Sequence, residues 1–469
     1  MHGFEELSPK GKPPAGTGPW YRELNRYHWF VLMVAALGWL FDTMDQQLFT
    51  LARRPAMKEL LMVEPGVPVD LRIVDEYAGY ATSIFLIGWA TGGLAFGVLG
   101  DRIGRAKTMV LTILLYSMFT GLSAFSTGFW DFCLYRFLTG LGVGGEFAVG
   151  VSLVAEVMPD RARPFALGLL QALSAVGNVT AAGISMSLGH LESKDALSDL
   201  SLFGFELSAW RIMFVIGIVP ALLALVIRRR LKEPERWQAA STDVKHQRGS
   251  YKELFGDPRW RKNAIVGMML AFSGVVGLWG IGFFSNDLVQ TIFRKTFEEQ
   301  GLSPTEINGK LAFWAGINSV MMNIGAFFGI YAFSYITHYT GRKPAFAVAF
   351  ILAMVSTGFT FAYLEHFSQV FWMVPIMGFC QLALFGGYAI YFPELFPTRL
   401  RSTGTSFCYN VGRFVAAVGP SILGVLTSKV FINYAEPMRP AGVAMCGVFL
   451  LGLLVLPFAP ETKGAPLPE

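Results

Sequence analysis

The chain has 469 residues, 53% hydrophobic and only 15% charged, with a positive mean hydropathy. Soluble domains carry roughly 25% charged residues, so the composition excludes an ordinary soluble globule and points to a polytopic membrane protein. The net charge of +5 is spread over short loops with no basic arm before the first apolar stretch, which gives no footing to nucleic acid as a partner.

The N-terminal segment, residues 1–28, is polar and carries Pro13, Pro14 and Pro19. It lacks the pattern of a cleavable signal peptide. A helix needs roughly 20 apolar residues to cross a bilayer. On that basis spans are predicted near 29–51, 78–99, 108–126, 130–153, 165–188 and 209–228. A polar, charged stretch, 229–262, follows as a linker. A second set is predicted near 263–285, 312–337, 344–364, 369–391, 403–427 and 441–458, before a tail, 459–469. The expected fold is therefore an all-α membrane protein, twelve transmembrane helices in two six-helix bundles, 29–228 and 263–458. The first outer loop is expected at Ala52 to Tyr77. Cys133, Cys380, Cys408 and Cys446 all fall in apolar stretches without metal-type spacing, so neither a disulfide framework nor a metal site is expected.

Lys and Arg gather in the even-numbered loops and the linker, at Arg102/Arg105/Lys107, Arg161/Arg163, Arg342/Lys343 and Arg399/Arg401. The positive-inside rule then places both termini in the cytoplasm. The expected location is the cell membrane, multi-pass, of a bacterial inner membrane.

Charge inside a span is costly and usually marks a pathway. Asp42 and Asp45 lie in the first span, Arg136 in the fourth and Arg413 in the eleventh. Asp42 and Asp45 are three residues apart and share a helical face. Asp45 and Arg136 both lie toward the outer half of the bilayer and could meet. Protonating the carboxylate would release such a pair, so Asp42, Asp45 and Arg136 are the candidates for proton coupling. Arg413 lies near the bilayer centre with no equally central acid in its half, since Asp287 and Glu394 sit near span ends. Its planar fork matches a carboxylate. Asn410, Gln171, Asn178, Asn318, Gln381 and Trp279 complete the candidate substrate set, as polar or aromatic residues within apolar spans. Each also has a plain reading as a helix-to-helix hydrogen-bonding or lipid-facing residue.

Gly97-Val-Leu-Gly-Asp-Arg-Ile-Gly-Arg-Ala-Lys107 resembles the loop 2–3 signature of the major facilitator superfamily. A weaker copy, Thr337-His-Tyr-Thr-Gly-Arg-Lys343, follows the eighth span and suggests duplicated halves. Arg136-Phe-Leu-Thr-Gly-Leu-Gly-Val-Gly-Gly-Glu146 is similar to the fourth-span motif of that superfamily. Ala155-Glu-Val-Met-Pro-Asp-Arg-Ala-Arg163, Lys232-Glu-Pro-Glu-Arg-Trp237, Pro393-Glu-Leu-Phe-Pro-Thr-Arg-Leu-Arg401 and Pro460-Glu-Thr-Lys-Gly464 resemble the sugar porters and their relatives. The resemblance implies a cytoplasmic gate built from Gly97, Asp101, Arg102, Gly104, Arg105, Glu146, Glu156, Arg163, Arg342, Glu394 and Arg401. Glu146 is assigned there because it lies near the inner end of the fourth span.

The seventh span, Ala271-Phe-Ser-Gly-Val-Val-Gly-Leu-Trp-Gly-Ile-Gly282, lacks the Gln-Gln and Asn-Ala pattern of sugar porters. Trp20-Tyr-Arg-Glu-Leu-Asn25 and Gly38-Trp-Leu-Phe-Asp-Thr-Met-Asp45 look like the sialate and monocarboxylate proton symporters. The Asp-x-x-Asp pair also resembles the aromatic-acid proton symporters. Asn410-Val-Gly-Arg-Phe-Val-Ala-Ala-Val-Gly-Pro420 is similar to the organic-anion branch. These resemblances imply proton-coupled symport of a small organic anion, a carboxylate, by a protein acting as a monomer in the lipid bilayer. The coupling ion is the proton and no cofactor is expected. A sugar or polyol porter, and a non-transporting sensor of the same fold, are the alternatives. No nucleotide-binding loop, metal cluster or nucleophile elbow suggests an enzyme.

Overall fold

The computed structural model describes residues 19–62, 71–192, 197, 200–202, 204–239, 248–302, 304–416 and 426–468. Most of the N-terminal segment, part of the linker and the second half of the eleventh predicted span, including Gly419 and Pro420, lie outside them.

A 3-10 turn, Trp20–Glu23, precedes α1, Arg26–Leu60. Asn25 starts α1: its side chain accepts from the His28 N–H at 2.8 Å, and His28 Nδ1 accepts from the Asn25 N–H at 3.3 Å. This reciprocal cap satisfies two donors that the first turn leaves free. There follow α2 (Leu71–Ile103), α3 (Arg105–Ser123), α4 (Phe129–Val157) and α5 (Arg163–Glu192). A two-residue hairpin, β1 Ser201–Leu202 against β2 Phe205–Glu206, is antiparallel. The sixth predicted span is split into α6 (Ala209–Ile216) and α7 (Ala221–Arg230), and the linker holds α8 (Glu235–Ala239) and α9 (Tyr251–Gly256).

The second set begins with α10 (Pro258–Gly280) and its continuation α11 (Ser285–Glu299), with a 3-10 turn at Gly282–Phe284 between them. Then come α12 (Pro304–Thr340), α13 (Arg342–Tyr363), α14 (Phe367–Glu394) and α15 (Arg401–Ala416). The last predicted span is α16 (Met438–Met445) with α17 (Val448–Val455). Among the described residues nine helices are long and apolar enough to cross a membrane. With α6–α7, α10 and α15 at the sixth, seventh and eleventh predicted spans, they make the twelve-helix, all-α architecture expected.

Helices overrun the apolar stretches. α1 continues to Leu60 and α2 starts at Leu71, so the expected loop from Ala52 to Tyr77 is helical at both ends. Charge ends the apolar run at Arg53 and Arg54, but α1 continues through them and through Pro55, inside the helix, because the Lys, Arg and Glu that follow the apolar run are good helix formers.

α1 packs on α5, and α2 and α3 pack on α4; in the second set α12 and α13 pack on α14, and α10 packs on α15 and α17. Two seams join the sets, α2 against α15 and α5 against α12. Glycine permits the closest approach at the first seam. A Cβ at Gly93 of α2 would overlap the Asn410 amide of α15, so this seam requires the bare backbone.

Candidate functional site

Besides Asp101 at the end of α2, three acids among the described residues of the first half are at most 1% exposed: Asp42, Asp45 and Glu146. Asp45 Oδ1 accepts from Thr120 Oγ1 of α3 at 2.7 Å. Its Oδ2 lies 3.9 Å from Arg136 Nη1, so the expected partners meet, as a loose ion pair. The other Arg136 donors are engaged: Nε and Nη2 reach Ser123 Oγ at 3.0 and 2.7 Å, and Nη2 reaches Thr139 Oγ1 at 3.1 Å. The guanidinium stands over the rings of Phe214 at 4.6 Å and Phe49 at 5.5 Å. The two atoms facing each other across the pair, Asp45 Oδ2 and Arg136 Nη1, have no hydrogen bond in the structure. Asp45 is thus held by one hydroxyl and one distant cation, an arrangement that a change of protonation can rearrange without breaking a tight bidentate pair.

Asp42 accepts from Gln46 Nε2 at 3.4 Å through Oδ2, and its Oδ1 has no partner. Its charged neighbours are Glu146, Asp45 and Arg413. Glu146 corrects the expectation from sequence. It does not join the gate. Thr112 Oγ1 of α3 donates to it at 2.6 Å, and its free Oε1 lies against the backbone of Gly38, one turn before Asp42. The physical reason is length. α4 runs four residues past the predicted end of the span at 153, to Val157, which places Glu146 about 15 Å from Glu156 along the helix at 1.5 Å per residue.

Arg413 is 4% exposed. Its Nη1 donates to Asn410 Oδ1 at 2.9 Å and to Tyr409 O at 3.2 Å. The guanidinium is sandwiched between two rings, 4.0 Å from the Trp89 centroid on α2 and 4.2 Å from that of Tyr409. Tyr409 in turn stacks on Phe147 of α4 at 4.0 Å, and Phe147 meets Trp39 of α1 at 4.8 Å. No carboxylate lies within ion-pair distance of Arg413 among the described residues, and its Nε has no partner. Asn410 is itself committed, with Nδ2 donating to Ser406 O and Oγ at 3.1 Å; it holds Arg413 in place. The sequence reading missed Trp89, Tyr409 and Phe147. An aromatic residue in an apolar span carries no signal of its own, and only the fold brings these rings to the arginine.

The remaining amides are dispersed. Asn178 Nδ2 of α5 donates to Asn323 Oδ1 of α12 at 2.9 Å, bridging the second seam. Asn318 Nδ2 donates to Asn286 Oδ1 at 2.6 Å and Ser285 Oγ at 3.1 Å, beside the break between α10 and α11. Gln381 Nε2 donates to Thr357 Oγ1 at 2.6 Å. Gln171 Oε1, Asn318 Oδ1 and Gln381 Oε1 are buried without partners. None of these contacts reaches Arg413. Trp279 lies on α10, but its side chain is outside the described residues.

At the end of the bundle that carries the loop between α2 and α3, the two halves are bolted together. Asp101 pairs with Arg105 at 2.8 Å and crosses to α15, accepting from Ser402 N at 3.1 Å, Thr403 N at 2.8 Å and Thr403 Oγ1 at 2.6 Å. Arg105 donates to Glu156 at 2.8 Å and to Thr398 O at 2.7 Å, and Glu156 binds Arg401 at 2.8 Å. Arg342 grips Glu394 with both Nε and Nη2, at 3.0 and 2.8 Å. Arg163 Nε donates to Ala155 O at 2.8 Å and its Nη2 pairs with Asp160. Arg102 Nε donates to Arg248 O at 3.3 Å. Gly97 lets Ser406 approach, and Gly104, at φ 115°, makes the turn between α2 and α3, a conformation that favours glycine.

The linker and tail supply two caps whose roles were not legible from sequence. Glu233 accepts from the N–H groups of Arg105, Ala106 and Lys107 at 2.7, 3.2 and 3.1 Å. Glu461 accepts from Arg342 N at 2.9 Å and Lys343 N at 3.0 Å. Each carboxylate satisfies the free donors of a helix start. Burial raises the Glu461 carboxyl, but the N–H groups of Arg342, Lys343 and Lys463 and the Arg342 charge outweigh it and hold it below the usual glutamate range.

The profile of the Major Facilitator Superfamily matches residues 35–420. The cis,cis-muconate transport protein of Acinetobacter baylyi is 27% identical over 388 residues, covering 82% of this chain and 86% of that one. The sialic acid transporter NanX of Escherichia coli is 25% identical over 434 residues, 91% of this chain and 92% of that one. Among solved structures, the proton:xylose symporter XylE bound to 6-bromo-6-deoxy-D-glucose aligns with a TM-score of 0.71 at 17% identity, over 94% of this chain and 98% of XylE. At that identity the likeness is one of fold.

Proposed function

The chain belongs to the major facilitator superfamily, and from that premise we propose that it is a proton-coupled symporter of a small organic anion, a carboxylate. It is a transporter, not an enzyme. The observation that carries the substrate reading is Arg413: a buried cation between two aromatic faces, with an unpartnered Nε and no carboxylate of the protein within ion-pair distance among the described residues. A fixed cation in a span is costly by roughly 2.5–3.5 kcal/mol on insertion scales. A carboxylate arriving at the free edge of the fork offsets part of that cost and gains charge-assisted hydrogen bonds. Relatives named for the transport of muconate and sialic acid, both carboxylic acids, support the same class.

Coupling follows from proximity. Asp42 is a charged neighbour of Arg413, Asp45 and Glu146. An ionised Asp42 repels an incoming carboxylate and competes for Arg413, so protonating the acid cluster and binding the anion favour each other. By linkage the coupling is reciprocal. Asp45, facing Arg136 at 3.9 Å, is the gating acid. With the basic end taken as cytoplasmic, the bolts at Asp101, Glu156 and Arg342 close the inner gate, and transport proceeds by rocking one half against the other around Arg413.

Uptake into proteoliposomes tests the reading, using radiolabelled aliphatic and aromatic mono- and dicarboxylates, hexoses and pentoses, with and without an inward proton gradient. Saturable accumulation of at least one acid, stimulated by the gradient, and no sugar uptake is the expected result. Saturable xylose or glucose transport that no acid competes with would instead make the protein a sugar porter.

A further inference from the structure

The bolts of the two halves are built from matching parts. Gly104 and Gly341 both take positive φ, 115° and 99°. Arg105 pairs with Glu156 and Arg342 with Glu394. Glu233 caps α3 and Glu461 caps α13. Arg163 donates to Ala155 O and Arg401 to Pro393 O. In register, Asp101 corresponds to His338, and Ser402 and Thr403 correspond to Pro164 and Phe165.

That correspondence breaks where the halves cross. At the α2–α15 seam, Asp101 takes two backbone N–H groups and a hydroxyl from the start of α15. At the α5–α12 seam the matching position is an imidazole rather than a carboxylate, and Pro164 has no N–H to give. The polar bolt cannot form there. Rings stand in its place. Phe165 at the start of α5 meets His338 of α12 at 5.1 Å and Tyr335 of α12 at 4.9 Å.

The segment before α1 completes this seam. Trp20 is only 8% exposed and stacks on Phe165, with centroids 5.6 Å apart and planes 9° from parallel. It forms a small core with Ala162, Phe165 and Leu24, and Tyr331 of α12 lies beside its indole. Three residues on, Glu23 pairs with Arg161 at 2.7 Å. Trp20 therefore touches elements of both halves, although it precedes the first span.

We propose that the Trp20–Leu24 segment is a strap that closes the α5–α12 seam in place of the missing acidic bolt, and that it must come off Phe165 before this end of the transporter opens. Stacked aromatic pairs contribute beyond their buried area, and an apolar strap suits a contact that must be remade in each cycle, because its release uncovers no unpaired buried charge. The proposal is independent of the substrate's identity.

The test is a distance measurement on the purified full chain in lipid nanodiscs. Nitroxide labels at Lys107→Cys and Thr340→Cys, both exposed and on opposite halves at this end, report its opening; the four native cysteines are buried. Trp20→Ala is expected to raise the long-distance population several-fold, and Asp101→Asn, which weakens the bolt at the other seam, is expected to do the same. Trp20→Phe, which keeps a stacking ring, is expected to stay close to the parent. Glu23→Gln, a change to a partly exposed ion pair, is expected to fold and to shift the distribution the same way by less, and it decides the matter if Trp20→Ala does not fold. Unchanged distributions in both Trp20→Ala and Glu23→Gln, or equal opening in Trp20→Phe and Trp20→Ala, would overturn the strap.

Discussion

On the proposed function, Arg413→Ala is expected to abolish measurable binding of the acid while the protein remains folded and inserted. Truncating one partner of a buried, hydrogen-bonded charge pair costs roughly 2–5 kcal/mol, a weakening of about 30-fold or more. The mutant's fold is expected to survive because, among the described residues, the arginine makes no ion pair and holds chiefly to the Asn410 amide, the Tyr409 carbonyl and side chain, and the Trp89 ring. Arg413→Lys keeps the charge and loses the planar fork, so its affinity should fall between the two. Isothermal titration of the purified variants with the best acid from the uptake panel gives the answer. Unchanged affinity in Arg413→Ala would make the residue structural and move the anion elsewhere.

Asp45→Asn is expected to uncouple. The amide keeps the size of the carboxylate and can still accept from Thr120 Oγ1, but it cannot exchange a proton or pair with Arg136. Gradient-driven accumulation should fall to the equilibrated level, while exchange of labelled for unlabelled substrate continues. One pH unit is worth about 1.4 kcal/mol per proton, roughly tenfold accumulation for a one-proton symporter, so the loss is easily read. Full accumulation by Asp45→Asn at neutral pH would remove Asp45 from the coupling path. Glu146 and Asp42 would then be the remaining acids of the cluster.

The sequence made the helices legible because a bilayer demands long apolar runs. It made the charge lattice around Asp101 and Arg105 legible because Gly, Asp and Arg at fixed spacing leave few structural options. It located Asp45 opposite Arg136, since both could be counted from span ends. Counting failed at Glu146, because α4 continues past the predicted span end through Val154, Ala155, Glu156 and Val157. It was blind to Trp89 and Tyr409, whose rings gain meaning only from the arginine they enclose, and to Phe147, which stacks behind Tyr409. Trp20-Tyr-Arg-Glu-Leu-Asn25 was visible as a motif, but its place on the α5–α12 seam depends on a long-range contact that no local pattern encodes. Glu233 and Glu461 were equally visible as parts of motifs, and equally silent about the helix starts they cap.

The central claim, that an anion and protons move together, is tested most directly by loading proteoliposomes with a pH-sensitive dye, clamping the membrane potential at zero with valinomycin and equal potassium, and adding the best acid outside with no initial pH gradient. The lumen is expected to acidify as the anion enters, faster with more substrate, and to stay unchanged in Asp45→Asn and in protein-free vesicles. Substrate entry without any change in luminal pH beyond that of protein-free vesicles would contradict the account.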